Sequence, residues 1–306
     1  MNDVFATPLG ATTRYCAVYG HPVRHSASPA MQNAGITQLN LNWRYLAFAV
    51  HPDHLRTAIN GARAMKFIGL NLTVPHKLLA MDMVEVLDIS AKTWGAVNTI
   101  RFEARDTDGV WRSLGDFPGD IPEDIRAHGF NTDADAITRT LRSDLGVEPS
   151  GARVLLLGAG GAGRAAALKL AADGVKELFL VNRTASKAAQ IAEEIRQRYP
   201  TVAAHLGYPT QTVDFLVNAT SLGLKAEDPL PWDAAQFALT RAGSVFDMIY
   251  RPAETSLLKA ARAAGCRVTN GIGMLLYQGA KALEIWTGKP APEAAMRQAL
   301  LKNIYG

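Results

Sequence analysis

The chain has 306 residues, a formal charge of +4, 48% apolar and 20% charged residues. That length allows a sizeable core and two domains. The composition is that of an ordinary globular protein and excludes two partner classes. No basic run carries interleaved aromatics to suit nucleic acid, and no stretch of about eighteen apolar residues exists to span a membrane. The slight positive balance favours anionic small molecules as partners.

The first eight residues, Met1 to Pro8, lack a basic region followed by an apolar core, which argues against a signal peptide. Cys16 and Cys266 are the only cysteines and each stands beside a strand-like run. They read as buried thiols of a reducing compartment, not as a disulfide or nucleophile. A cytoplasmic location is expected. His51-Pro-Asp-His54 is the only close histidine pair, and with Pro52 and Asp53 it reads as a surface helix start, with no metal expected.

In chain order, strands are predicted over 15–19, 43–50 and 67–71, with helices over 29–39 and 53–64. Such alternation argues for an α/β layer with largely parallel pairing. Polar constellations follow the strands. After the first comes Gly20-His-Pro-Val-Arg-His25-Ser26-Ala-Ser28-Pro29. There Ser28 reads equally as a helix N-cap with proline at the first helical position. Gly69-Leu-Asn71-Leu-Thr73-Val-Pro75-His-Lys77 delivers Asn, Thr and Lys just before a helix. Trp94-Gly-Ala-Val-Asn98-Thr99 and Gly129-Phe-Asn131-Thr132-Asp133 do likewise, and Asp133 also suits the cap of an Ala-rich helix. Between them, 101–129 is rich in Asp, Gly and Pro and reads as a loop or hairpin elaboration near a domain boundary.

A second α/β unit begins at Val154-Leu-Leu-Leu-Gly158-Ala-Gly160-Gly161-Ala-Gly163-Arg164, an apolar strand entering a glycine loop and a helix. Glycines at 158, 160 and 163 suit a tight turn, close approach of a pyrophosphate and helix-on-sheet packing. The first helix amides then face the phosphates. A tight turn without a ligand is the alternative. The next strand, Leu178-Phe-Leu-Val181, ends in Asn182-Arg183-Thr184 with Lys187 one turn on. An NAD site would place Asp or Glu there to hold the ribose 2′-hydroxyl. Donors and cations suit a 2′-phosphate instead, so the expected cofactor is NADP. Further strands are predicted near 213–218 and 244–249, and helices over 274–286 and 293–304 close the chain.

Read together, these segments resemble the shikimate dehydrogenase family. The resemblance rests on eight motifs in the family's order. They are His25-Ser26-Ala-Ser28-Pro29, Asn71 to Lys77, Asn98-Thr99 with Asn131-Thr132-Asp133, and Gly158 to Arg164. Asn182-Arg183-Thr184, Asn218-Ala-Thr220-Ser221-Leu-Gly223, Asp247-Met248-Ile-Tyr250-Arg-Pro252, and Gly271-Ile-Gly273-Met274 through Gln278-Gly279 complete them.

The resemblance implies two α/β domains around a deep cleft that closes on substrate. One, 1–131 with 271–306, would be the substrate-binding domain, and 132–270 a Rossmann NADP-binding domain. It implies NADPH-dependent reduction of 3-dehydroshikimate to shikimate, reversibly, in aromatic amino acid biosynthesis. Ser26 and Ser28 would hold the substrate carboxylate. Thr73, Asn98, Asp133 and Gln278 would bind the ring hydroxyls, with Tyr250 nearby. Gly158, Ala159, Gly160, Gly161 and Ala162 would cradle the pyrophosphate. Asn182, Arg183, Thr184 and Lys187 would take the 2′-phosphate, and Met248 and Gly271 would lie beside the nicotinamide. Lys77 and Asp133 would form the catalytic pair, Lys77 as acid/base and Asp133 orienting it.

Three departures from the family pattern stand out: Gln32 where histidine is common, Ala136 where glycine is expected, and a long 101–129 stretch. They keep open a quinate/shikimate dehydrogenase of broader substrate or cofactor range. A non-catalytic NADP-binding regulator would be expected to lose Lys77 or Asp133, and both are present. The protein is expected to be a monomer or homodimer.

Overall fold

A computed structural model of the chain describes residues 9–306. The signal-peptide reading falls on 1–8, outside the described residues. Backbone contacts divide the chain into two units. The first takes the chain through Asp133 and then Leu276–Gly306; the second is Ala134–Leu275.

The first unit begins with β1 (Arg14–Gly20), α1 (Ser28–Gln38), β2 (Trp43–Ala49), α2 (Leu55–Ala64), β3 (Gly69–Leu72) and α3 (His76–Leu79). It continues with β4 (Val86–Leu87), α4 (Ile89–Trp94), β5 (Thr99–Arg105), β6 (Trp111–Ser113) and β7 (Ile125–Phe130). The main sheet runs β2-β1-β3-β5-β7-β4, with β6 paired to β5. Strand β1 lies inside the sheet, between β2 and β3, and its Cys16, Ala17, Val18 and Tyr19 are all buried, a continuous run that suits a strand covered on both faces.

The sheet is mixed, which corrects the expectation of largely parallel pairing. Strand β5 pairs antiparallel with β3, β6 and β7. Residues 101–105 and 125–129, read from sequence as loop or hairpin, are strand segments of this sheet. Only the middle of the stretch, through β6 and the turns around it, is a hairpin elaboration. The signal was present: Ile100, Phe102 and Ala104 are buried and alternate with Arg101, Glu103 and Arg105.

In the second unit, α5 (Asp133–Leu145) leads to β8 (Arg153–Leu157), α6 (Gly161–Ala172), β9 (Glu177–Val181) and α7 (Ala185–Arg198). Then come β10 (Ala203–Leu206), β11 (Val213–Asn218), β12 (Ala242–Asp247), α8 (Ser256–Ala263) and β13 (Arg267–Thr269). Every pairing is parallel, in the order β10-β9-β8-β11-β12-β13. Numbered within the unit, that is 3-2-1-4-5-6, the Rossmann order. Val154 to Leu157 are wholly buried, as a central parallel strand requires.

Helices α9 (Ile272–Thr287) and α10 (Glu293–Tyr305) end the chain. In the first unit Trp286 is fully buried and its indole donates to the Ile100 carbonyl at 2.9 Å. Both cysteines are buried and unpaired. The His51 ring accepts weakly from Asp53 N–H at 3.4 Å as the cap of a short turn, matching the surface reading. Among the described residues no cluster suits a metal, and no helix is long and apolar enough to cross a membrane.

Candidate active site

In the first unit the polar residues after the strands are drawn together by sheet register. Asn71 on β3 lies opposite Thr99 on β5, and its amide donates to the Thr99 hydroxyl at 3.0 Å. Tyr45 of β2 donates its hydroxyl to Asn71 Oδ1 at 2.7 Å. The Thr99 hydroxyl donates to Asn98 Oδ1 at 3.1 Å, and Asn98 Oδ1 also accepts from Thr132 N–H at 2.8 Å. The Asn98 amide donates back to the Thr132 hydroxyl at 3.0 Å. This chain is buried, and burial is tolerated because its groups satisfy one another.

The network fixes the segment that carries Asp133. Asn131 N–H donates to the Ser90 hydroxyl, its amide to the Ala96 carbonyl, and its Oδ1 accepts from Asp133 N–H at 3.1 Å. Asn131 therefore caps the turn into α5, and the alternative that Asp133 serves only as a cap falls away. The freed carboxylate accepts from Lys77 Nζ at 2.7 Å. Lys77 arrives on α3, directly after β3 and Pro75, with its side chain 31% exposed and that of Asp133 16% exposed. The pair is thus sheltered yet reachable.

Ser26 and Ser28 lie at the start of α1, both half-buried. Here too a cap reading is corrected: Ala27 occupies the cap position, and Ser28 is the first helical residue. The Ser26 hydroxyl accepts from Ser28 N–H at 3.3 Å, so the loop satisfies that amide. The Ser28 hydroxyl hydrogen-bonds the Tyr45 phenol, whose pKa burial pushes well up. Thr73 is half-buried beyond β3, and Gln278 half-buried on α9. Gln32, one of the departures, is fully buried on α1 and donates from Nε2 to the Gly279 carbonyl at 2.8 Å, tying α1 to α9 beside Gln278. Ala136 is a buried residue of α5. Sequence reading missed Tyr45, because nothing in an apolar strand marks one tyrosine as the buried partner of Asn71 and Ser28.

In the second unit the glycine loop links β8 to α6. Gly158 adopts a left-handed φ of 104°, and a Cβ there would stand 2.9 Å from the Ala219 carbonyl. A Cβ at Gly163 would stand 2.2 Å from the Gly158 carbonyl, so the helix and loop pack too closely for any side chain. Gly160 and Gly161 differ. A Cβ at either meets nothing within 4 Å, which leaves open space at the start of α6 where first-turn amides have no helical acceptor. That space suits a pyrophosphate.

Asn182, at the end of β9, has a bracing task. Its Oδ1 accepts from Ala159 N–H at 3.0 Å and its amide donates to the Thr184 carbonyl at 2.9 Å. Ala159 N–H is therefore already engaged within the protein. Arg183, Thr184 and Lys187 are exposed, and among the described residues neither the Arg183 nor the Lys187 side chain has a carboxylate partner. Arg164, by contrast, is bound to Glu194 through two hydrogen bonds. Met248 and Tyr250 are half-buried after β12, and Gly271 opens the turn into α9. The open cradle and the two uncommitted cations fit a 2′-phosphorylated dinucleotide. Strand order, glycine loop and cations define the second unit as a dinucleotide-binding module of the Rossmann type.

Comparison with known proteins narrows the class. Residues 18–100 match the family model described as shikimate dehydrogenase substrate binding domain, and residues 141–224 match shikimate / quinate 5-dehydrogenase. Residues 271–301 match the shikimate 5′-dehydrogenase C-terminal domain. The chain is 38% identical over 303 residues to shikimate dehydrogenase (NADP(+)) of Methanopyrus kandleri, covering 97% of this chain and 98% of that protein. Shikimate 5-dehydrogenase of Thermus thermophilus, solved with NADP(H) and shikimate, superposes with a TM-score of 0.76 at 34% identity, covering 95% of this chain and 99% of that one. Ligand-free 5-ketofructose reductase of a Gluconobacter superposes with a TM-score of 0.79 at 31% identity, covering 97% and 100%. The chain belongs to the shikimate dehydrogenase family.

Proposed function

We infer that the chain is an NADP-dependent oxidoreductase that interconverts 3-dehydroshikimate and shikimate, a step toward aromatic amino acids. The observation that carries the mechanism is the 2.7 Å contact of Lys77 Nζ with Asp133 Oδ2. A secondary alcohol cannot release hydride unless its hydroxyl proton also leaves, so oxidation needs a base and reduction an acid. Lys77 and Asp133 share a hydrogen bond and act as one coupled unit in handling that proton. Bound NADPH supplies the hydride. Lys77 delivers the proton to the carbonyl oxygen during reduction, and Asp133 holds the ammonium in place and accepts from a ring hydroxyl.

Ser26 and Ser28 offer hydroxyls to the substrate carboxylate, and the Thr73 hydroxyl and the Asn98 and Gln278 amides serve the ring hydroxyls; Tyr250 is a further substrate-binding candidate. Asn98 is also the hub of the buried network, so it positions Thr132 and Asp133 as well as meeting substrate. Gly158 to Ala162 take the pyrophosphate, and Arg183 and Lys187 the 2′-phosphate, with Thr184 beside them and Asn182 bracing the loop. Met248 and Gly271 face the nicotinamide.

Two buried free thiols support a cytoplasmic setting, where the protein works as a monomer or homodimer. A steady-state assay with shikimate and with quinate, each with NADP⁺ and NAD⁺, tests the whole reading. The expected result is a marked preference for shikimate with NADP⁺. Preference for quinate or for NAD⁺ would replace the specificity while leaving the reaction class intact.

A further inference from the structure

The second unit contains a buried carboxylate that the reaction described above leaves without a task. Asp247 ends β12 with no exposed surface. Its Oδ1 accepts from the Asn218 amide at 3.0 Å and from Ile249 N–H at 3.1 Å; its Oδ2 accepts from the Thr255 hydroxyl at 2.6 Å. All three donors are neutral, and among the described residues no cation pairs with this carboxylate. Burial pushes its pKa up, while the hydrogen bonds from Thr255, Ile249 and Asn218 oppose that shift. The donors hold the anion in place by their dipoles and leave its charge uncompensated. In a poorly screened interior such a charge acts over several ångströms.

Topology shows which ligand part would feel it. In a sheet of this order a dinucleotide lies across the C-terminal strand ends, one mononucleotide over each half. The glycine loop follows β8, and the cations for the 2′-phosphate follow β9, so the nicotinamide half falls to β11 and β12. Asn218 and Asp247 are register partners at the ends of those two strands. The chain then folds back on the carboxylate: Met248 N–H donates to the Asn218 carbonyl at 2.9 Å, and Ile249 N–H to Asp247 itself. Gly271 packs on this turn so closely that a Cβ would stand 2.1 Å from the Met248 carbonyl oxygen, and its N–H donates to the Ile249 carbonyl at 3.1 Å.

We propose that Asp247 sets the cofactor's redox preference: its unpaired charge favours the cationic oxidised nicotinamide over the neutral reduced ring, while its hydrogen bonds fix the Met248–Tyr250 turn. The proposal rests on the NADP reading above. Charge and positioning separate experimentally. In Asp247→Asn the amide oxygen still accepts from Asn218 and Ile249, so the turn keeps those two bonds and loses the charge together with the acceptor of the Thr255 hydroxyl.

The test is equilibrium titration of the full chain with NADP⁺, NADPH and 2′-phospho-ADP-ribose, which lacks the nicotinamide. Asp247→Asn should weaken NADP⁺ by about tenfold, NADPH by less than about twofold, and leave 2′-phospho-ADP-ribose unchanged. Thr255→Val removes the shortest donor to the anion, and with it the cap on Leu258 N–H. It should shift the NADP⁺/NADPH ratio the opposite way, toward NADP⁺, because less of the charge is compensated; Thr255→Ser should restore the wild-type ratio. These two variants carry the test if Asp247→Asn does not fold. Equal weakening of NADP⁺ and NADPH, or an unchanged ratio in all variants, overturns the proposal. A wild-type chain that binds NAD⁺ and not NADP⁺ would instead overturn the cofactor reading, so the two failures are distinguishable.

Discussion

Lys77 and Asp133 meet at 2.7 Å although 56 residues separate them. Neither reaches the other by local geometry. Lys77 follows β3, and Asp133 follows β7; β5 lies between those strands and pairs antiparallel with both. Asn131 then takes up the Asp133 N–H, and the Asp133 carboxylate accepts from Lys77. A catalytic pair built this way depends on the sheet register, and so on Asn71, Thr99 and Asn98 beneath it.

Replacing Lys77 by Ala should lower kcat by about 10²–10⁴, the range typical of a lost general acid/base, with a much smaller change in the substrate KM. Asp133→Asn should lower kcat as well and raise the substrate KM, because Asp133 also meets a ring hydroxyl. Steady-state kinetics with shikimate and NADP⁺ check both. A near-normal kcat for Lys77→Ala would sink the assignment.

The cofactor preference should reside in Arg183 and Lys187. A hydrogen bond to a charged group contributes about 1.5–3 kcal/mol, so Arg183→Ala should raise the NADP⁺ KM at least about tenfold. Lys187→Ala should act in the same direction. Activity with NAD⁺, which lacks the 2′-phosphate, should change little in either variant. Added salt should narrow the gap between wild type and variant, because these side chains are exposed. Parallel KM measurements with the two cofactors, at low and high ionic strength, decide the matter.

Acid stability should trace to Glu103. It is 1% exposed within the first unit, on β5, and bonded to His128, Arg101 and Arg126. Burial alone would raise its pKa, but those hydrogen bonds win and hold it at about 2, below the ordinary 4.5. A depressed folded-state pKa gives stability that is present above the unfolded value and lost as pH falls toward about 2. The shift corresponds to about 3 kcal/mol. Glu103→Gln should therefore be less stable at neutral pH and lose less stability than wild type between pH 4.5 and about 2. Denaturant melts across that window provide the check, and parallel losses in both proteins would refute the assignment.

The Rossmann unit was the most legible part of the chain, because glycine spacing and unbroken apolar runs are local signals. Its edge strands were not. Strand β10 is mostly exposed and β13 has only three residues, so neither presents an apolar run. In the first unit, Asp, Gly and Pro in the turns hid β5 and β7, although the alternation in β5 was readable. The residues proposed for chemistry were legible through family motifs, but their supports were not. The tie from Tyr45 through Asn71 to Thr99 arises from register across four neighbouring strands, β2, β1, β3 and β5, and the Asn131 cap follows a fifth, β7. The Asp247–Thr255 bond likewise needs the turn after β12 to close before its partners are visible. Local sequence carries none of these pairings.

The glycine loop offers a contrast within a few residues. At Gly163 an alanine Cβ would collide with the Gly158 carbonyl at 2.2 Å, backbone that cannot give way cheaply. Gly163→Ala should therefore lower stability by about 1–3 kcal/mol, the usual cost of overpacking, and disturb cofactor binding as a consequence. At Gly160 the same methyl meets no protein atom, and the φ of −80° suits any residue. Gly160→Ala should fold with nearly unchanged stability yet place its methyl in the space where the pyrophosphate lies. Its NADP⁺ Kd should rise by about tenfold or more while its melting temperature stays near wild type. Calorimetric melting and NADP⁺ titration of the two variants separate the roles. A Gly160→Ala protein that binds NADP⁺ as tightly as wild type would show that the open cradle is not where the phosphates sit.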